Sequence, residues 1–287
     1  MERITTLLDK NEALDCYVLP DELRNLYAGD LRFPTGPDRT HVIGNFVSTL
    51  DGVASYEIPG RSGGGEISGF NAADRFIMGL LRASADAVVV GAGTLRDTAA
   101  DHLWLGEHVY PEAREMYTRY RRGLLTKSEP PLTVIVTGSG AVDLQKAVFR
   151  TPGVRTLIVT SPNGSRQLVS NGLEGLPSVE ARVLDCPGGK ISPGSILKLL
   201  RNEFAVKHVL HEGGPALFGD FVAHGCVDEL FLTVAPQVAG RDVKRQRPGV
   251  ISGTAFVPET APWLKIVSVK QSGDHLYLRY SLLNRVR

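Results

Sequence analysis

The 287-residue sequence predicts an α/β protein with a mixed, mostly parallel central sheet, helices on its faces and a C-terminal antiparallel hairpin. Three observations carry that expectation. Short apolar runs rich in β-branched residues recur at 85–93 ("ADAVVVGAG"), 131–140 ("PLTVIVTGSG") and 154–164 ("VRTLIVTSPNG"), each stopping at Gly, Ser, Thr or Pro. Continuous apolar runs of this kind suit strands buried on both faces of a sheet. Segments with helical spacing stand between such runs, and the final stretch, "PWLKIVSVKQSGDHLYLRYSLL", alternates apolar and polar residues around Gln271 to Asp274, the pattern of a hairpin.

Taken in order, residues 1–40 mix charges with Pro20, Pro34, Gly36 and Pro37 and read as an N-terminal extension holding at most a short helix. The compact domain is expected over 41–287. "VIGNFVSTL" (42–50) reads as a strand and "SGGGE" (62–66) as a loop. In 71–84, Phe76, Ile77, Leu80 and Leu81 recur at helical spacing behind Asn71, a side chain suited to accept the first free N–H groups of a helix. Residues 101–130 are polar and cover a helix and a long loop. Beyond the three apolar runs, 194–203 reads as helix, 206–214 as strand, 215–225 as helix and 227–236 as strand.

Composition narrows the function. The 32 basic and 31 acidic residues leave a net charge of +1, so no overall field calls for nucleic acid or an anionic membrane. The N-terminus lacks a signal-peptide core, and no apolar run approaches the ~20 residues of a membrane span, so a cytoplasmic location is expected. Cys16, Cys186 and Cys226 lie far apart with no CxxC pair, which points to reduced thiols rather than a disulfide framework or a zinc site.

Turns of unusual composition close three of the strands: "GAGT" (91–94), "TGSG" (137–140) and "EGGP" (212–215). In open α/β sheets ligands bind beyond the carboxyl ends of the strands, where backbone N–H groups and helix N-termini converge. Gly213 and Gly214 let a ligand approach the backbone, and Pro215 starts a helix without wasting a donor. Any one such turn is better explained by strand-to-helix geometry alone. The set of three points to a phosphate or pyrophosphate. Neither standard nucleotide fingerprint is present: there is no GxxxxGK[ST], and Arg96 stands where GxGxxG needs its third glycine.

Other candidates are weaker. His208 and His211, three apart on a strand, face opposite sides and make no metal pair. None of the seven histidines identifies itself as a base. The cluster Arg241, Lys244, Arg245 and Arg247 reads as a solvated loop, with contact to a substrate phosphate as the alternative. Asp51 ends a strand ahead of Gly52, where a carboxylate can face a ligand, although Asp-Gly is also a common turn dipeptide.

Read together, "NFVSTLDGVAS", "LLRASADAVVVGAGT", "TVIVTGSG" and "EGGPALFGDFVAHGCVDELFLTVAPQVAG" resemble, in the same order over roughly 40–285, the pyrimidine reductases of bacterial riboflavin biosynthesis. The resemblance implies a dihydrofolate reductase-like fold, a homodimer, and NADPH-dependent hydride transfer to a small heterocyclic substrate, with no metal. Carried over by position, it gives Asn45 and Asp51 to the substrate, with Asp51 assisting proton transfer. It gives Gly91, Gly93, Thr94, Glu212, Gly213, Gly214, Pro215, Ala216 and Leu217 to the cofactor. Thr137, Ser139 and Ser161 fall beside the adenosine ribose and its 2′-phosphate. The sequence departs from the pattern after "GAGT", where "LRDTAADHLW" replaces an acidic pair, a proline and an apolar strand, and at Gly138, where relatives place an arginine. The zinc signature of nucleobase deaminases is absent, which implies a stand-alone reductase. The most similar activity is that of 5-amino-6-(5-phosphoribosylamino)uracil reductase. A dihydrofolate- or pterin-type reductase and a non-catalytic nucleotide-binding relative are the alternatives.

Overall fold

The computed structural model describes all residues except 12–17, 35–38, 59, 62, 187–188, 245 and 284–287, so Cys16, Gly36, Pro37, Ser62 and Arg245 lie outside the described residues. The expected fold class is what the structure shows. Ten strands form one sheet: β1 (Thr5–Asp9), β2 (His41–Thr49), β3 (Ala87–Gly91), β4 (Leu132–Thr137), β5 (Thr156–Thr160), β6 (Val179–Val183), β7 (His208–His211), β8 (Glu229–Ala235), β9 (Leu264–Ser272) and β10 (His275–Leu282). Their order across the sheet is β1-β9-β10-β8-β2-β7-β3-β4-β5-β6. From β8 to β6 every neighbouring pair is parallel, and β10, β9 and β1 extend the sheet antiparallel.

The parallel strands are the apolar runs of the sequence, and β3, β4, β5 and β7 are almost wholly buried, as strands covered on both faces must be. One face packs on α3 (Ala72–Ser84) through Phe76, Leu80, Val88, Val90 and Ile135, and the other on α8 (Pro193–Phe204) and α9 (Pro215–Ala223) through Val89, Val134, Ile196, Phe218 and Phe221. Asn71 caps α3 as expected, its Oδ1 accepting from the N–H groups of Ala73 and Asp74 at 2.9 and 3.1 Å. His208 and His211 do face opposite ways: His208 rests against Phe33, and His211 against Phe218 and Phe221.

Several details differ from the sequence reading. Residues ahead of 41 supply a strand as well as a helix: β1 pairs with β9, α1 (Asp21–Tyr27) covers the sheet, and Ile4, Leu19, Leu23, Tyr27 and Leu31 are buried in the main core. The C-terminal hairpin is consequently one strand in from the margin, because β1 takes the outer side of β9. A short helix, α2 (Gly64–Ser68), begins inside the stretch read as a loop, α5 (Gly106–Val109) and α6 (Arg114–Arg119) lie in the polar segment, and a helix, α7 (Pro162–Ser170), and a short strand, β6, follow β5 where the sequence reading placed nothing. Among the described residues no helix is long and apolar enough to cross a membrane.

Candidate active site

A cleft of about 750 Å³ opens beyond the carboxyl ends of β2, β7 and β3. Its position follows from topology. β7 enters the sheet between β2 and β3, so the turns leaving β7 and β3 lie side by side and the polypeptide diverges around them. Asn45, Phe46 and Val47 of β2 form one side, and Gly93, Thr94, Asp97 and Thr98 of α4 (Ala92–Asp97) and its C-cap another, with Glu212, Gly214, Pro215 and Ala216 between them.

The loop "EGGP" is shaped by close approach. A Cβ on Gly213 would lie 2.3 Å from Val90 Cα and 2.6 Å from Gly91 N, so only glycine lets this loop lie against the end of β3. Gly214, with φ +51°, is the residue ahead of α9, and Pro215 opens the helix. Gly214 therefore lines the cleft without a side chain beside the N-terminus of α9, whereas Gly213 packs against β3 and, like Gly91, does not line the cleft. Leu217 packs beside Gly91 rather than lining the cleft.

Glu212 is held elsewhere. Arg82 of α3 grips it as a fork, Nη2 to Oε2 at 2.7 Å and Nε to both oxygens at 3.1 Å, and donates from Nη1 to the carbonyls of Leu103 and Leu105. With side chains 2% and 7% exposed, the pair is desolvated and ties α3, the β7 turn and the 103–105 segment together. Asn45 Nδ2 donates to the same carboxylate at 3.4 Å.

Asp51 does not line the cleft. Its carboxylate accepts from Thr49 Oγ1 at 2.5 Å and from the N–H groups of Ala239 and Gly240 at 3.1 and 2.7 Å. Those donors, the Thr49 hydroxyl first and then the Ala239 amide, hold it well below the usual carboxylate range. An acid so firmly ionised is a poor proton donor near neutrality, and its geometry is that of a loop clamp. Arg241 reinforces the clamp by donating to the carbonyls of Asp51 and Gly52, and Arg247 donates to those of Ala239 and Gly240. Both arginines therefore staple loops together, Arg241 while exposed to solvent and Arg247 half-buried.

Thr137, Ser139 and Ser161 lie at the next two strand ends, outside the cleft proper. Thr137 Oγ1 accepts from Gly140 N, Ser139 Oγ from Ala141 N, and Ser161 Oγ caps α7 through Gly164 N while donating to Gly138 O at 2.6 Å. The turns after β7, β3, β4 and β5 thus form a row. At about 4.8 Å per strand the row spans roughly 14 Å.

Several cleft residues escaped sequence reading. On α3, Asp74, Met78 and Arg82 recur four apart and all face the cleft, with Arg75 beside them. Asp74 is 6% exposed and accepts from Thr233 Oγ1 at 2.7 Å. Burial pushes its carboxyl above the ordinary range, against the pull of the Thr233 and Ser68 hydroxyls. The far wall carries His102, Trp104 and His108, with ring centroids 4.7 Å apart for His102–Trp104 and 5.1 Å for His102–His108. Burial, with the Arg82 charge, takes His102 down to about 3, so it is a neutral imidazole. The signal that could have found Asp74 is a carboxylate repeating at four-residue spacing with Met78 and Arg82 along one edge of an apolar helix face.

A family model described as the RibD C-terminal domain matches residues 40–278. The chain belongs to that family. Solved structures agree on the fold. A deaminase/5-amino-6-(5-phosphoribosylamino)uracil reductase from Thermotoga maritima superposes with a TM-score of 0.59 at 23% identity, over 85% of this chain and 57% of that one. A pyrimidine reductase-like protein from Corynebacterium diphtheriae gives 0.62 at 20% identity, over 85% of this chain and 92% of that one. Acinetobacter baumannii RibD gives 0.63 at 19% identity, over 85% and 58%. The chain thus spans a little over half the length of the bifunctional Thermotoga protein and of the Acinetobacter one, and nearly all of the Corynebacterium protein. Within the RibD C-terminal domain family, the matched segment contains the cleft and the row of strand-end turns.

Proposed function

We propose that the protein is an NADPH-dependent reductase of a ribosylaminopyrimidine or related small heterocycle, most like 5-amino-6-(5-phosphoribosylamino)uracil. The single observation behind this reading is the row of four strand-end turns, of which those after β7 and β3 line one cleft, with Gly214 at their junction and Gly213 packed against β3 behind it. A dinucleotide laid along the row would set its pyrophosphate on Gly213, Gly214 and the start of α9, with Gly91, Gly93 and Thr94 beside it. Thr137, Ser139 and Ser161 would meet the adenosine end. A bound reduced nicotinamide supplies the hydride.

The protein's own part is alignment. Asn45 and the Arg82-held Glu212 face the acceptor. Asp51 acts at one remove, holding Ala239 and Gly240 ahead of Pro248 and Ser252, which line the cleft. Asp51→Asn should therefore lower turnover and thermal stability while sparing cofactor affinity. A second reading, reduction of a pterin or dihydrofolate-type ring, draws on the altered segment 95–104, from which His102 and Trp104 line the cleft. A homodimer in the cytoplasm is part of the proposal, and sedimentation reports the first.

The test is titration with NADPH and with NADH, following fluorescence of Trp104, which is buried in the cleft wall, whereas Trp263 is 68% exposed and contributes a background. Saturable quenching that favours NADPH, followed by NADPH oxidation on adding the aminouracil substrate, is the expected result. Failure of both cofactors to bind would sink the reductase reading; turnover of dihydrofolate but not of the aminouracil would select the second.

A further inference from the structure

One wall of the cleft owes its shape to a side chain that does not line it. The wall begins where "LRDTAADHLW" replaces the acidic pair, proline and apolar strand of related reductases, so residues 95–104 have no proline and no strand to stiffen them. α4 is six residues long, too short to hold its conformation unaided, and Leu95 is its one buried residue. Asp97, Thr98 and Ala99 nevertheless stand in sequence along the cleft.

Lys146, in the connection between β4 and β5, is what holds them. Its Nζ donates to the carbonyls of Leu95 and Thr98 at 2.6 Å each and to that of Arg96 at 3.5 Å. An ammonium has three N–H donors, and all three meet carbonyls at the C-terminal end of α4, the end where a helix favours a cation. Lys146 is 8% exposed, and among the described residues no carboxylate pairs with it. Desolvating a charge for carbonyls alone is costly, so the contact is an uncommon one. A second tie follows directly: Ala147 N donates to Ala100 O at 2.8 Å, while Val148 and Phe149 anchor the connection in the main core.

We propose that Lys146 is a positioning residue for the substrate: through the carbonyls of Leu95, Arg96 and Thr98 it sets where Asp97, Thr98 and Ala99 meet the heterocycle. The proposal rests on the reductase reading and adds to it a residue that touches neither substrate nor cofactor. Contacts from this wall are made before and during hydride transfer alike, so loosening it weakens substrate binding rather than the chemical step. Gly93 and Thr94 lie nearer the other end of α4, so cofactor affinity depends on Lys146 less.

Lys146→Met keeps the length of the side chain and removes its donors. Amide hydrogen exchange at Thr98 and His102, whose N–H groups donate to Thr94 O and Ala99 O, should quicken by about tenfold while exchange in β3 and β4 stays unchanged. Steady-state kinetics with NADPH should use whichever of 5-amino-6-(5-phosphoribosylamino)uracil and dihydrofolate the wild type reduces. KM for that ring should rise about tenfold, with kcat within about threefold and NADPH affinity within about twofold of wild type. Ala147→Pro removes the N–H donated to Ala100 at a first helical position, where proline is tolerated, and should raise KM by a smaller factor; it decides the matter if Lys146→Met does not fold. An unchanged KM in a folded variant, or exchange quickened equally in β3 and β4, would overturn the assignment by making Lys146 a matter of stability alone. A wild type that reduces neither ring ends the reductase reading and this proposal together, and that result appears before any variant is made.

Discussion

At the residue scale, the site depends on two places where no substitution is neutral. Gly213 touches the backbone of β3, so Gly213→Ala must push the loop off Val90 and Gly91. Such overpacking costs about 1–3 kcal/mol, and because the displaced loop is the proposed cofactor floor, affinity for NADPH should fall together with the urea midpoint. Arg82→Met leaves Glu212 buried and unpaired, a loss of about 3–5 kcal/mol by urea unfolding. The double variant Arg82→Met, Glu212→Gln should recover much of it, and an equal loss in both would show that the pair's charge is not what matters. Legibility at this scale was uneven. Asn71 announced itself, since a cap is a local device. Asp74 and Arg82 did not, because charged residues beside an apolar helical stripe are usually solvated, and only the cleft shows that these two are buried.

At the element scale, the apolar runs were legible because a strand buried on both faces needs apolar residues throughout. β6 was not: "VEARV" carries Glu180 and Arg182, which pair with Arg155 and Glu203 at the open margin of the sheet. β1 was hidden for a similar reason, its "TTLLD" being too short and too polar to stand out from the lead segment. Its role is nonetheless large. Thr6 Oγ1 accepts from the buried Lys270 Nζ at 2.7 Å, Lys10 N donates to Val267 O, and Ile4 enters the core. Removing residues 1–10 should lower the melting temperature and expose the outer edge of β9, whose free backbone groups invite pairing with another chain. Analytical ultracentrifugation should show added self-association; an unchanged melting temperature and an unaltered species distribution would mean that β1 is dispensable.

At the scale of the whole molecule, the parallel and antiparallel halves meet at β8, and a buried ionic cluster crosses that seam. Glu229 of β8 accepts from Arg279 of β10 at 2.6 and 3.1 Å and lies 3.1 Å from His41 Nε2 of β2. Burial alone would raise the Glu229 carboxyl, but the Arg279 charge and the hydrogen bonds from His41 and Arg279 prevail and take it from 4.5 down to about 2. A carboxylate depressed on folding contributes stability that is complete above its unfolded value and lost as pH falls through the folded one. The stability difference between wild type and Glu229→Gln, measured by urea unfolding, should therefore be largest above about pH 5 and shrink steadily between 4.5 and 2. A difference that does not change with pH would place the effect of the substitution in packing.

The sequence by itself determined the parallel core, the hairpin, the cap of α3 and the glycine turns at the strand ends, because each rests on local patterning: apolar runs, alternation, a capping side chain, a residue without a Cβ. The tertiary structure decided which of those turns are neighbours and what stands opposite them. Inserting β7 between β2 and β3 is a choice of strand order that no local pattern encodes, and it brings Glu212 from the turn after β7 to Arg82 of α3 and to Asn45 of β2. The same long-range packing set Asp51 in a clamp on Ala239 and Gly240 and brought Asp74 to the cleft, because burial and partners belong to the assembled fold and not to the chain.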